Sequence, residues 1–153
     1  MLALSTAARA GELLKLEWTD VDLKAHRLLF RVTKNSQPRA AWLHGEALRL
    51  LTEFADSCTQ MGRVFANSRG GKFDYAKRFK AAVEAAKLTD FKFHDLRHSA
   101  ATYLAREGAS EQQLRAIGGW KSGVVSRYVH IAAEDAKEIL QRMNERILPT
   151  NRS

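Results

Sequence analysis

His94-Asp95-Leu96-Arg97-His98-Ser99-Ala100-Ala101-Thr102 begins a run whose apolar residues recur at helical spacing until Gly108 ends it. The run predicts an amphipathic helix over 94–107. His94 and Arg97 stand three residues apart near its start, so both can face one cleft. A phosphate in that cleft would meet a planar guanidinium fork and an imidazole. Alone the pair is a weak signal, because a capping residue followed by a surface arginine reads the same way. Tyr103 shares a helical face with Leu96, Ala100 and Leu104 and is expected in the core. His98 is read as structural.

Outward from this helix, Ser110-Glu111-Gln112-Gln113 is a capping-box pattern that starts another, running to about Ile117. On the N-terminal side, Asp74 to Lys87 carries Phe79, Ala82, Val83 and Ala86 on one face, and Glu46 to Cys58 is a further amphipathic helix. Leu28 to Val32 and Ala40 to Leu43 read as strands around the polar turn Lys34-Asn35-Ser36-Gln37-Pro38, with a third short strand near Asp20 to Leu23. Leu2 to Ala8 and Glu12 to Trp18 add short helical pieces. Ala133 to Ile147 closes the chain with an apolar stripe of Ala136, Ile139, Leu140, Met143 and Ile147. The expected fold is mainly α with a small antiparallel β-sheet (α+β), one domain over residues 1–148 and a polar tail over 149–153.

The 153 residues suit one domain with a sizeable core. No apolar run approaches the roughly 18 residues of a membrane span, and no signal-peptide pattern opens the chain. Cys58 is the only cysteine, which excludes an internal disulfide and fits a reducing compartment. It falls on an apolar helical face, as a small buried residue would. The net charge is +8, and the excess is concentrated in residues 61–100, where nine Lys and Arg face four Asp and Glu. Such a surface attracts a polyanion, of which nucleic acid is the commonest, although a solvated basic face has the same composition.

Three further features bear on the His94–Arg97 pair. Arg9 lies among small and apolar residues in Ser5-Thr6-Ala7-Ala8-Arg9-Ala10-Gly11-Glu12-Leu13-Leu14, where a cation needs a buried partner or a bound anion. Glu12 is a candidate partner. Lys34 occupies the hairpin turn, from which a long cation can reach across a ligand. Tyr128 follows the polar bend Gly119-Trp120-Lys121-Ser122-Gly123 in Ser126-Arg127-Tyr128-Val129-His130.

These stretches together resemble the tyrosine recombinase (phage integrase) family. Thr6 to Asp22 resembles its first arginine motif, Lys34 its hairpin lysine, and His94 to Thr102 its second box. Gly119-Trp120 resembles the His-or-Trp position, and Tyr128-Val129-His130 the nucleophile motif. The motifs occur in family order over nearly the whole chain. There are departures: Ala7 replaces the usual glycine, Trp42 replaces a common proline, and the Trp120–Tyr128 segment is one residue shorter than usual.

The resemblance implies a tyrosine recombinase catalytic-domain-like fold and a site-specific recombinase or integrase activity. DNA would be cleaved and rejoined through a 3′-phosphotyrosyl intermediate, with no metal, ATP or other cofactor. Tyr128 would be the nucleophile and Arg9 and Arg97 would hold the non-bridging oxygens. Lys34 would be the general acid, His94 would assist proton transfer, and Trp120 would donate its indole N–H to the phosphate. Glu12 and His130 would support them. Arg39, Arg69, Lys72, Lys77, Arg78, Lys80 and Lys121 are the expected DNA-backbone contacts. The implied partner is double-stranded DNA, with a tetramer on DNA for the full-length protein and a monomer for this chain without DNA. The first helix of the catalytic domain and an N-terminal DNA-binding domain are expected to be absent. A cytoplasmic, bacterial or phage-encoded protein is implied, with no membrane association. A non-catalytic DNA-binding remnant and a type IB topoisomerase-like enzyme share much of this residue set.

Overall fold

The computed structural model describes residues 1–31, 38–67, 70–71, 73–121 and 123–128. Lys34, Arg69, Lys72, His130 and the expected helix over 133–147 lie outside them. Two short helices open the chain, α1 (Leu2–Thr6) and α2 (Ala10–Leu13). A 3-10 turn, Trp18–Asp20, leads into β1 (Val21–Asp22), followed by β2 (Arg27–Phe30) and β3 (Arg39–Trp42). The rest is helical: α3 (Gly45–Asp56), α4 (Tyr75–Ala85), α5 (Phe93–Arg106), α6 (Glu111–Gly118) and α7 (123–128). Among the described residues no helix is long and apolar enough to cross a membrane.

The sheet is an antiparallel meander in the order β1-β2-β3, with Val21 opposite Leu28, Leu28 opposite Ala41 and Phe30 opposite Arg39. Its period-2 alternation buries Leu28, Phe30 and Ala41 on one face. They join Leu16, Leu43, Leu51, Ala55 and Val64 in one apolar cluster with α3. A second cluster holds Ala7, Ala100, Ala101, Ala105, Leu114, Trp120, Val125 and Tyr128. Small residues on α5 let α1 and α6 approach it closely, and α7 seats Val125 and Tyr128 against it.

The two clusters part at Ala7 and Ala8. Ala7 ends α1 in the left-handed region, at φ 53° and ψ 27°, so adjacent residues enter different cores. That conformation costs a non-glycine residue on the order of 1 kcal/mol. The same bend turns the Ala7 carbonyl toward α5, where Arg97 Nη1 donates to it.

Several expectations shift. The helix expected over 12–18 is one turn, Ala10–Leu13, because the chain turns from there toward the sheet. Helix α5 begins at Phe93, where Asp95 Oδ2 accepts from the Lys92 N–H at 2.7 Å. Tyr103, expected in the core, is 59% exposed. The apolar face of α4 buries no residue fully; Phe79 and Tyr75 instead lean edge-on against Phe93 at 5.1 and 5.2 Å.

The main correction concerns Arg39, expected on the DNA-facing surface. Its side chain is only 8% exposed. Nη1 donates to the carbonyls of Ile117 at 2.6 Å and Thr6 at 3.2 Å, and Nη2 reaches Glu12 Oε2 at 3.3 Å. The guanidinium lies 4.5 Å over the Phe30 ring. Arg39 thus ties β3 to the ends of α1 and α6 and to α2. Removing one member of a buried, hydrogen-bonded ion pair costs about 3–5 kcal/mol, whereas an exposed phosphate contact can be removed for roughly 0.5 kcal/mol or less. Arg39→Met is expected to lower the unfolding free energy by the larger amount in urea titrations. A loss near the smaller value would return Arg39 to the surface.

Candidate active site

Arg97 is among the largest fully buried side chains, at 1% exposure. A buried guanidinium must be paired to be tolerated. Here Nη1 donates to the Ala7 carbonyl, the Trp120 ring covers the guanidinium at 4.3 Å, and Nη2 is buried without a hydrogen-bond partner among the described residues. Burial, then the charges of Arg9 and Arg39, pull the Arg97 pKa down to about 10, against the pull of Glu12 and Tyr128. It therefore remains charged at neutral pH.

Glu12 is the carboxylate of this cluster. It is 6% exposed, and its oxygens accept from the Arg9 N–H at 2.6 Å, Arg9 Nη1 at 3.5 Å and Arg39 Nη2 at 3.3 Å. The first of these bonds caps α2 and fixes the backbone of Arg9. The Arg9 side chain stays 40% exposed, so its fork faces the opening rather than the core. Arg9, Arg39 and Arg97 are all electrostatically coupled to one another or to Glu12. Three cations against one carboxylate leave an excess of positive charge beside an unpartnered N–H. The chemical complement is an anion with several acceptor oxygens.

Trp120 owes its position to a glycine that the sequence reading passed over. A Cβ built on Gly118 would lie 1.9 Å from the Trp120 ring, so only glycine lets the indole fold back over Arg97. Gly119 follows in the left-handed region at φ 64° and ends α6. The consecutive glycines are the sequence signal for this close approach.

His94 stands exposed at the rim, one turn of α5 before His98, and the two rings meet edge to face at 4.7 Å. Partial burial, then the charges of His98, Arg97 and Arg9, hold His94 below the usual histidine range, opposed by Asp95. Tyr128 is 3% exposed, and its hydroxyl is hydrogen-bonded to His98 Nδ1. Burial raises the phenol pKa, while Arg127 and Arg97 oppose the rise. Sequence reasoning gave His98 no chemical part; its spacing of four from His94 was the available signal.

The structure therefore gathers Arg9, Glu12, His94, Arg97, Trp120 and Tyr128. Lys77, Arg78, Lys80 and Lys121 are exposed. Arg78 lies 5.3 Å over Phe73, and Lys80 pairs with Glu84 at 3.8 Å. An apolar groove of about 490 Å³, lined by Leu13, Leu51, Phe54, Phe79 and Phe93 among others, contains none of the gathered polar side chains.

The sequence profile described as the Phage integrase family matches residues 1–135. The integrase of Salmonella phage P22 is 29% identical over 151 residues, covering 89% of this chain and 39% of that protein. A shufflon-specific DNA recombinase of Escherichia coli is 35% identical over 139 residues, covering 86% and 34%. The chain thus spans little more than a third of these relatives. Among solved structures, XerH site-specific recombinase bound to a palindromic difH substrate superposes with a TM-score of 0.73 at 23% identity, covering 91% of this chain and 43% of that one. At that identity the likeness is one of fold.

Overpacking a tight contact costs about 1–3 kcal/mol, and Gly118→Ala must also displace the indole. The variant is expected to fold with reduced stability and a shifted Trp120 indole resonance in an amide-correlation NMR spectrum. An unmoved Trp120 resonance would mean that Gly118 does not set the ring's place.

Proposed function

The chain belongs to the phage integrase family, and from that premise we propose that it carries the catalytic centre of a site-specific DNA recombinase. The observation that carries the reading is the buried, incompletely partnered Arg97 with the Tyr128 hydroxyl coupled to it. A cationic pocket beside a nucleophile is what phosphodiester transfer requires.

Tyr128 Oη attacks the scissile phosphorus, forming the Oη–P bond while the bond to the 5′-oxygen breaks. The product is a 3′-phosphotyrosyl link and a free 5′-hydroxyl. The reaction exchanges one phosphodiester for another, so rejoining by the reverse attack needs no external energy source. Arg97 and Arg9 hold the non-bridging oxygens, whose charge grows in the transition state. Arg97 does so from a fixed, partly desolvated position; Arg9 does so from the rim. Trp120 keeps the Arg97 fork in place and excludes water from one face. His94, neutral at physiological pH, can hydrogen-bond the phosphate without adding charge. Lys34, outside the described residues, is assigned as the general acid for the 5′-oxygen.

Double-stranded DNA is the proposed substrate. The basic side chains of Lys77, Arg78, Lys80 and Lys121, with Arg69 and Lys72 outside the described residues, are assigned to its backbone. Such contacts supply affinity without sequence choice. Assembly of four subunits on DNA belongs to the whole protein.

The test is a nicked duplex whose cleavage releases a short fragment and traps the adduct. The native chain is expected to form a denaturant-stable protein–DNA species, and Tyr128→Phe to form none. An adduct that persists in Tyr128→Phe would move the nucleophile elsewhere. Adduct absent from both would favour a binding role.

A further inference from the structure

We infer that His98, rather than His94, takes the proton from Tyr128 as it attacks, an assignment that rests on the reading of Tyr128 as the nucleophile. Helix α5 brings two imidazoles to the site, and they are not equivalent. His94 is exposed at the rim, whereas His98 is half-buried and touches the reacting atom itself through Nδ1. Its ring lies 6.1 Å from the Tyr128 ring and 4.7 Å from the His94 ring, which it meets edge to face. The contact joins a tyrosine of the second apolar cluster to a side chain of α5.

The proton accounting is direct. In the resting site the Tyr128 Oη–H donates to unprotonated His98 Nδ1, and Nε2 carries the ring hydrogen. As Oη bonds to phosphorus, its proton passes to the Nδ1 lone pair and His98 becomes an imidazolium. The electron pair of the breaking bond leaves on the 5′-oxygen, which is protonated by the separate acid. The new cation lies beside a phosphate whose negative charge is growing, which favours the transfer. In rejoining the same imidazolium returns its proton to the departing phenolate.

His94 has a defined part in this. Its edge-on contact means that two imidazoliums would repel, and Arg97 and Arg9 add to that repulsion. His94 therefore stays neutral while His98 holds the proton. The buried phenol, held above its usual ionisation range by burial, needs such an acceptor, because water is kept from it.

The experiment measures single-turnover adduct formation on the nicked duplex with Tyr128 either native or replaced by 3,5-difluorotyrosine, whose phenol ionises more readily. His98→Ala is expected to slow the native nucleophile by about 10²–10⁴, the range of general-base contributions, and to slow the difluorinated one by roughly tenfold or less. His98→Asn keeps a hydrogen-bonding group near Oη but cannot carry the proton. It is expected to stay slow with tyrosine and to recover with difluorotyrosine. Equal losses on both nucleophiles, or an undiminished rate in His98→Ala, would overturn the inference. If the native chain forms no Tyr128 adduct, the functional reading itself fails. The pairing is then read by NMR: the His98 ring nitrogen resonances are expected to shift in Tyr128→Phe, and unchanged resonances remove the proposed acceptor.

Discussion

One carboxylate, Glu12, is set against three guanidinium groups, and most of the site follows from that imbalance. Glu12 accepts from Arg39 Nη2 and from the backbone of Arg9, although Arg39 Nε is left without a partner among the described residues. It cannot also satisfy Arg97, whose nearest acceptor is a backbone carbonyl and whose second nitrogen is left without one. A protein that required only stability would replace such a group with an apolar side chain. Keeping a buried cation partly unpaired makes sense when a ligand supplies the missing oxygens, and a phosphodiester carries both the charge and the acceptors. The folded domain thus holds a site that is electrostatically incomplete until an anion with several acceptor oxygens occupies it.

The backbone has to be bent in two places to make this possible. At Ala7 a left-handed turn sends the carbonyl to Arg97 and lets Ala7 and Ala8 enter separate cores. At Gly118 the absence of a side chain lets Trp120 fold back onto the same guanidinium. Arg39 then binds the ends of α1 and α6 to α2, so these bends are held relative to one another. The site's aromatic groups, Trp120 and Tyr128, are also members of the second apolar cluster. Folding that cluster and building the site are one event.

The periodicities were enough to read α3 to α6 and the three-stranded meander, because amphipathic spacing and alternation survive without knowledge of partners; the short α2 and α7 carry too few residues to show a period. Arg9, Glu12, His94, Arg97, Trp120 and Tyr128 were legible as chemistry because cations and a lone tyrosine recur there in a recognisable order. Arg39 was not. A charged residue in a hairpin looks solvent-facing until the ends of α1 and α6 are seen to converge on it, and that convergence depends on contacts 33 and 78 residues away in sequence. Tyr103 misled for the opposite reason: its helical position fits the apolar face, yet no element among the described residues covers it. His98 escaped notice because a histidine acquires a role only from what lies opposite, and Tyr128 is 30 residues further along.

The central claim, that the cationic cluster is completed by the charge of a phosphodiester, is tested most directly by removing that charge. A methylphosphonate at the scissile position keeps the shape of the linkage but makes it neutral. With an ordinary phosphate, Arg97→Ala should slow adduct formation by roughly 10²–10³, the usual cost of one oxyanion-stabilising donor. With the methylphosphonate most of that loss should disappear, because there is little charge left for Arg97 to balance. An equal loss on both substrates would contradict the account and reduce Arg97 to a packing residue.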